Sequence, residues 1–221
     1  MKRIPEPDLM DTCEQAQAYA EADFSEAHDA FVSHFRSRFP DFSKGTVLDL
    51  GCGTADVIIR FAHAFPKAQI TGIDGADAML DIGLRDVEQK GLLHQIKLHK
   101  CLLPDADLLS EKFDAVISNS LLHHLNNPLI IWNTIKMCSK KDTPLFVMDL
   151  KRPDSADTAE RLVKLYAGDA SPVLQKDFYN SLLAAYEADE IKEQLKAVRL
   201  EYLKVEEISD RHLIVWGTKY E

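Results

Sequence analysis

The sequence has little of what staples a small secreted protein or anchors one to a membrane. Its four cysteines, Cys13, Cys52, Cys101 and Cys138, are far apart and form no C-x-x-C pair. Neither a disulfide framework nor a zinc site is indicated, so no metal is expected and a reducing cytoplasm is the expected compartment. No apolar run approaches the ~18 residues of a membrane helix. Met1-Lys2-Arg3 is followed by Ile4-Pro5-Glu6-Pro7-Asp8 rather than by the apolar stretch of a signal peptide. Positive charge is also scarce, with 26 Lys and Arg against 36 Asp and Glu, a net charge of −10 and no basic run. That balance opposes phosphate backbones, so nucleic acid is not an expected partner. What the chain does have is 221 residues, 46% of them hydrophobic. This is enough to bury a full core, and residues 1–221 are read as one domain without internal repeat or linker.

The organising stretch is Thr46-Val47-Leu48-Asp49-Leu50-Gly51-Cys52-Gly53-Thr54-Ala55-Asp56. Val47, Leu48 and Leu50 form the short apolar run of a strand covered on both faces. Gly51 and Gly53 remove side chains where the backbone bends and where a ligand approaches it closely. The helix that begins at Val57 turns its unpaired N–H groups toward this bend, which favours an anionic group. Ala68-Gln69-Ile70-Thr71-Gly72-Ile73-Asp74 reads as the second strand, ending in an acid 21 residues after Gly53. A carboxylate at that distance accepts hydrogen bonds from ribose hydroxyls.

The third glycine of a dinucleotide turn is replaced by Asp56, and Asp49 precedes the first glycine by two residues. An acid there suits a ligand carrying a cation better than a pyrophosphate. Asp49-Leu50-Gly51-Cys52-Gly53-Thr54 followed by Asp74 resembles the first two motifs of class I S-adenosylmethionine-dependent methyltransferases. Phe113-Asp114-Ala115-Val116 followed by Leu122-His123-His124-Leu125 is similar to the fourth-strand region of small-molecule members, including those that methylate quinone rings. The resemblance implies S-adenosyl-L-methionine as cofactor, a small-molecule methyl acceptor and a Rossmann-like α/β fold. That fold has seven strands, mostly parallel with an antiparallel C-terminal strand, and helices on both faces. Under it, Asp49, Gly51, Cys52, Gly53, Asp74, Gly75, Met79, Leu102, Leu103 and Asn119 hold the cofactor. Cys101 and Leu102 stand where many members place an acid for adenine, so adenine is expected to meet backbone groups and the apolar side chains of Leu102 and Leu103. Other classes remain open: a protein that binds the cofactor without catalysis, or an NAD-linked oxidoreductase.

The remaining chain supplies candidates for the acceptor side. Residues 1–44 form an N-terminal helical segment, with Phe31, Phe35 and Phe39 as a packing stripe; the resemblance implies that Tyr19 folds over the cofactor, and Tyr19 is also a candidate substrate contact. Strands are expected over 95–99, 113–118, 143–150, 200–208 and 212–218, and helices over 76–90, 128–139 and 189–198. Residues 152–187 exceed what a crossover needs and form two helices, the second with Ser171 as N-cap and Pro172 in its first turn. This insertion is read as a lid, a substrate pocket or a homodimer contact, with Arg152, Tyr166 and Tyr179 as substrate contacts. His123 and His124 are the candidate proton acceptors, since an imidazole titrates near neutrality. Adjacent residues lie about 100° apart on a helix, so one histidine is expected to face the site and the other to pack or meet solvent.

Overall fold

The computed structural model describes residues 1–6 and 12–220. Residues 7–11 of the expected N-terminal segment lie outside the described residues. The segment's two helices are α1 (Cys13–Glu21), capped by the Thr12 side chain, and α2 (Ser25–Arg38). Alternation then follows as β1 (Lys44–Leu50), α3 (Asp56–Ala64), β2 (Lys67–Asp74), α4 (Asp77–Gln89) and β3 (Ile96–Lys100). A short helix α5 (Ala106–Ser110), which the sequence pattern did not announce, precedes β4 (Ala115–Asn119). Asp105 caps α5 by accepting from the Leu108 N–H at 2.9 Å. Next come a 3₁₀ turn at Leu122–His124, α6 (Leu129–Cys138) and β5 (Pro144–Leu150). The chain closes with α7 (Ala156–Ala167), α8 (Pro172–Ala184), α9 (Ala188–Ala197), β6 (Lys204–Glu207) and β7 (His212–Thr218).

The seven strands form one sheet in the order β3-β2-β1-β4-β5-β7-β6. All neighbours pair in parallel except β7, which is antiparallel to both β5 and β6. The order reverses at β1, between β2 and β4, and the crevice beyond the carboxyl ends of those strands is where an open α/β sheet binds ligands. β6 begins at Lys204, later than the expected residue 200, because Leu200 and Leu203 are buried against α9 and spend their side chains on helix packing.

Alternation along each strand divides the core in two. Val47, Ile70, Ile117, Phe146 and Ile214 face α2, α3 and α4, where Phe31, Phe35 and Phe39 are buried among Phe61, Phe65 and Phe146. Leu48, Leu50, Val116, Val147 and Val215 face α6 and α9, with Trp132 fully buried between them. Each buried side chain of this size contributes about 1.5–3 kcal/mol, so both layers hold the strand ends rigidly.

The 152–187 stretch folds as α7 and α8, capped by Ser155 and Ser171 respectively. They pack on Leu150 through Leu162, Leu182 and Leu183, at the carboxyl edge of the sheet rather than on its faces. Among the described residues no helix is long and apolar enough to cross a membrane.

Candidate active site

β1 ends in a turn tied to β2: the N–H groups of Gly51 and Cys52 both donate to the Ile73 carbonyl at 2.9 Å. Gly51 has φ +75°, and a Cβ there would lie 2.9 Å from Leu121 Cβ, so this position takes glycine for conformation and for space. Gly53 also has positive φ, +52°, but a Cβ there would meet nothing within 4 Å. Its bare backbone faces open space. Ala55 at φ 65° leads into α3, whose first turn receives no side-chain cap. The free N–H groups of that turn are therefore available to an anion.

Two acids flank the turn. Asp74 braces it, with Oδ2 accepting from the Gly53 N–H at 2.8 Å and Oδ1 from the Ala76 N–H at 2.9 Å. Asp49 is 2% exposed, and its Oδ1 has no hydrogen-bond partner among the described residues. Burial, with the charge of Asp74 as a smaller contribution, pushes the Asp49 carboxyl up to about 8. A buried acceptor without a donor is costly, and a cation placed beside it would relieve that cost.

These groups open into a cavity of about 730 Å³ at the carboxyl ends of the strands. Asp49, Gly51, Cys52, Gly53, Asp74, Gly75, Met79, Leu102, Leu103 and Asn119 all line it, and so do Tyr19, Tyr166, His123 and His124. Tyr19 is half-buried against Phe24, with ring centroids 4.7 Å apart. Burial raises its hydroxyl pKa, helped by the charges of Asp56 and Asp74. Leu102 is 63% exposed and Leu165 68% exposed. Ser120, at φ 57°, holds a strained conformation just after β4, as side chains at functional turns often do.

Both histidines reach the cavity, contrary to the spacing expectation. The Leu122–His124 segment is a single 3₁₀ turn that leaves Leu125 extended, and the two rings tilt together with centroids 4.1 Å apart. His123 is buried, its Nδ1 2.6 Å from Asp149 Oδ1, while Asp149 Oδ2 accepts from the Leu122 N–H at 2.7 Å. Burial opposes charge on His123, but the charge and hydrogen bond of Asp149 prevail and its pKa is raised. His124 is partly exposed, its Nδ1 2.5 Å from Glu6 Oε2.

Arg152 and Tyr179 do not line this cavity. The Arg152 guanidinium is buried and bonded to Glu187, Glu190 and the Ala185 carbonyl, so it locks α9 to the end of β5. Tyr179 packs against the Leu150 cluster. Tyr166 lines the mouth, but its hydroxyl donates to Asp210 at 2.8 Å and Arg211 stacks on its ring.

Other residues that line the cavity, His28 and His212, or that touch a lining residue, Arg60 and Glu6, were not legible beforehand. His28 bonds Asp56 at 2.6 Å, Arg60 bonds the same oxygen at 2.8 Å, and His212 opens β7. Burial, then the charge of Arg211, brings His212 down to about 4. Glu6 reaches the site from a segment whose sequence reads only as a polar, proline-bearing terminus. Apart from the i,i+4 pair of Asp56 and Arg60 on α3, these contacts join distant elements and do not follow from spacing. The one available signal for His212 was its place at the amino end of an antiparallel strand, which lies beside the carboxyl ends of the others.

The family model described as methyltransferase domain matches residues 47–141. The chain is similar to the ubiquinone biosynthesis O-methyltransferase of Actinobacillus pleuropneumoniae serotype 7, at 32% identity over 109 residues, covering 48% of this chain and 46% of that protein. It is also similar to the malonyl-[acyl-carrier protein] O-methyltransferase of Bacillus cereus, at 30% over 109 residues, covering 49% of this chain and 38% of that protein. The match thus spans less than half the length of these relatives. Among solved structures, the plantazolicin methyltransferase BpumL, in complex with a triazolic desmethylPZN analog and SAH, superposes with a TM-score of 0.68. The identity is 13%, and the superposition covers 94% of this chain and 92% of that one. At that identity the likeness establishes the fold.

Proposed function

We propose that this chain, whose residues 47–141 are a methyltransferase domain on the class I fold, transfers a methyl group from S-adenosylmethionine to a small-molecule acceptor. The single observation that carries the proposal is the buried carboxyl of Asp49, whose Oδ1 has no partner among the described residues, beside a bare glycine turn and Asp74. An ammonium, a carboxylate and a ribose, all present in that cofactor, find a counterpart in this set. Asp49 would take the ammonium, the first turn of α3 the carboxylate, and the outer lone pairs of Asp74 the ribose hydroxyls. Met79, Leu102 and Leu103 offer an apolar slot for adenine, and Tyr19 a ring to close over it.

When bound, the cofactor supplies a methyl group already activated by a sulfonium. The protein's part is then positioning and exclusion of water, which supply about 7–11 kcal/mol when reacting atoms are held in line. Asn119, Ser120, His123 and His124 stand at the end of β4, where the acceptor would meet the methyl group. The lining carries the acids Glu21, Asp23, Glu26, Asp49, Asp56, Asp74, Asp169 and Asp177 against the fixed cations Lys164 and Arg211. Arg211 is already stacked on Tyr166 and bonded to Asp210. This balance opposes an anionic acceptor and favours a neutral hydroxyl. The exposed Leu102 and Leu165 at the mouth favour an apolar body on that acceptor.

Incubation of the full chain with methyl-labelled cofactor and a panel of neutral phenols, enols, amines and carboxylic acids tests the reading. Label is expected in a hydroxyl-bearing compound. Label in none of the panel and in no component of a metabolite extract contradicts it.

A further inference from the structure

The two histidine–carboxylate pairs at the end of β4 are not equivalent. His123 and Asp149 are both sealed, with side chains 3% and 2% exposed. His124 is 22% exposed, and its partner Glu6 arrives from the segment at residues 1–6. Residues 1–6 lie as a strap over this corner. Arg3 fastens the strap by donating to the carbonyls of Ala184, His123 and Leu125 at 2.5, 2.8 and 3.3 Å, and it stacks on Tyr186 at 4.1 Å. Ile4 N–H donates to the Leu183 carbonyl at 3.0 Å. Glu6 is itself aimed, since its Oε1 accepts from Ser181 Oγ at 2.6 Å while Oε2 meets His124 Nδ1 at 2.5 Å.

We propose that Glu6 is a positioning residue, holding His124 in the tautomer whose Nε2 lone pair accepts the proton of the methyl acceptor, with His123–Asp149 as a fixed support beside it. The inference rests on the methyl-transfer reading above. A base oriented by a carboxylate on its far nitrogen is the general arrangement for drawing a proton from a hydroxyl. As the acceptor oxygen bonds to the methyl carbon, the carbon–sulfur bond of a bound sulfonium would break with its electron pair left on the thioether sulfur, while the acceptor's O–H bond breaks and the proton passes to His124 Nε2. The imidazolium, stabilised by Glu6, then returns the proton to water through the open mouth. Burial works to raise the Glu6 carboxyl, but the hydrogen bond and charge of His124, the charge of His123 and the Ser181 hydrogen bond hold it at about 2. Glu6 is therefore an anion throughout the working range. His123 lacks that freedom, being enclosed with its carboxylate.

The ligating atoms of Glu6, His123 and His124 also lie within 4.8 Å of one another, a spacing compatible with a metal ion. The Glu6–His124 distance of 2.5 Å argues for a shared proton within that pair instead. Zinc with bonds of about 2.0–2.2 Å in a tetrahedron spaces its ligand atoms by about 3.4 Å.

The test uses the full chain labelled with ¹⁵N-histidine, examined by long-range ¹H–¹⁵N correlation, with S-adenosylhomocysteine affinity measured by calorimetry. Neutral His124 is expected as the Nδ1–H tautomer in the parent and shifted toward Nε2–H in Glu6→Gln, with affinity for S-adenosylhomocysteine within about twofold. Turnover of Glu6→Gln on the hydroxyl substrate found by the labelling panel is expected to fall about 10²-fold or more, with the KM for cofactor unchanged. An Nε2–H tautomer in the parent, or parental turnover in Glu6→Gln, overturns the proposal. So does zinc titration that shifts both imidazoles with micromolar affinity, which would make the cluster an ion site. A parent that binds no S-adenosylhomocysteine defeats the methyl-transfer reading separately and leaves the tautomer result to report on Glu6 alone.

Discussion

The cavity has two halves built by different means. The half around Asp49, Gly53 and Asp74 comes from consecutive strand ends, so backbone geometry alone brings its groups together. The half around His123 and His124 comes from the strap at residues 1–6, a 3₁₀ turn, the tip of β5 and helix α8. Parallel strands leave their carboxyl ends in one row whatever the side chains, which makes the first half a property of topology. The second half depends on side chains reaching across from separate elements. A fold thus fixes where its cofactor goes, and additions to the fold decide what meets it.

Substitutions on the two sides are expected to separate along this line. The largest effect belongs to the acceptor half: His124→Ala should lower turnover by about 10²- to 10⁴-fold with little change in cofactor affinity. Equal turnover for His124→Ala and parent would return the role to His123 or to positioning alone. On the cofactor half, Asp74→Ala removes charge-assisted hydrogen bonds worth about 1.5–3 kcal/mol. Affinity for S-adenosylhomocysteine should then weaken by about 10- to 150-fold. Unchanged affinity in a folded Asp74→Ala protein would dismiss its ribose role.

Arg152 sharpens the contrast, because it belongs to neither half. Arg152→Ala leaves Glu187 and Glu190 without their guanidinium and should cost about 1–3 kcal/mol of stability by denaturant titration. Cofactor affinity should be unaltered, and a selective loss of affinity would place Arg152 in the site after all.

The pH dependence of the melting temperature reports on Asp49. Its folded pKa, about 8, lies above the ordinary value of 3.8, so the native state holds a proton that the unfolded chain has released. Stability of the unliganded protein therefore falls as pH rises from about 4 to about 8 through this group, and levels off above. Asp49→Asn should flatten that fall and raise the melting temperature at pH 8 while weakening cofactor binding. A lower melting temperature for Asp49→Asn at pH 8 would instead mark Asp49 as a brace for the turn.

How much of this was legible in the sequence follows from the same division. The glycine turn, Asp49, Asp74 and the alternation of strands and helices are local patterns, and the sheet that they imply is the sheet observed. Helix α5 escaped because five residues carry no helical period; Asp105, which follows β3 by five residues, serves as its cap. Arg152 and Tyr179 were drawn toward the substrate by residue type, yet one is held by two glutamates and a carbonyl and the other by apolar packing. Glu6 gave no sign, since its partners His124 and Ser181 lie more than a hundred residues away. The pairing of His123 with His124 was hidden by the helical spacing assumed for them, which a lone 3₁₀ turn does not obey.

The measurement that bears most directly on the central claim is calorimetric titration of the unliganded full chain with S-adenosylhomocysteine at pH 7, in two buffers of different ionisation enthalpy, with NAD titrated in parallel. At that pH a carboxyl of pKa about 8 is largely protonated. An incoming ammonium favours its ionised form. The account predicts saturable binding of S-adenosylhomocysteine with release of close to one proton, abolished in Asp49→Asn, and no binding of NAD. Binding of NAD but not S-adenosylhomocysteine, or of neither, would contradict it.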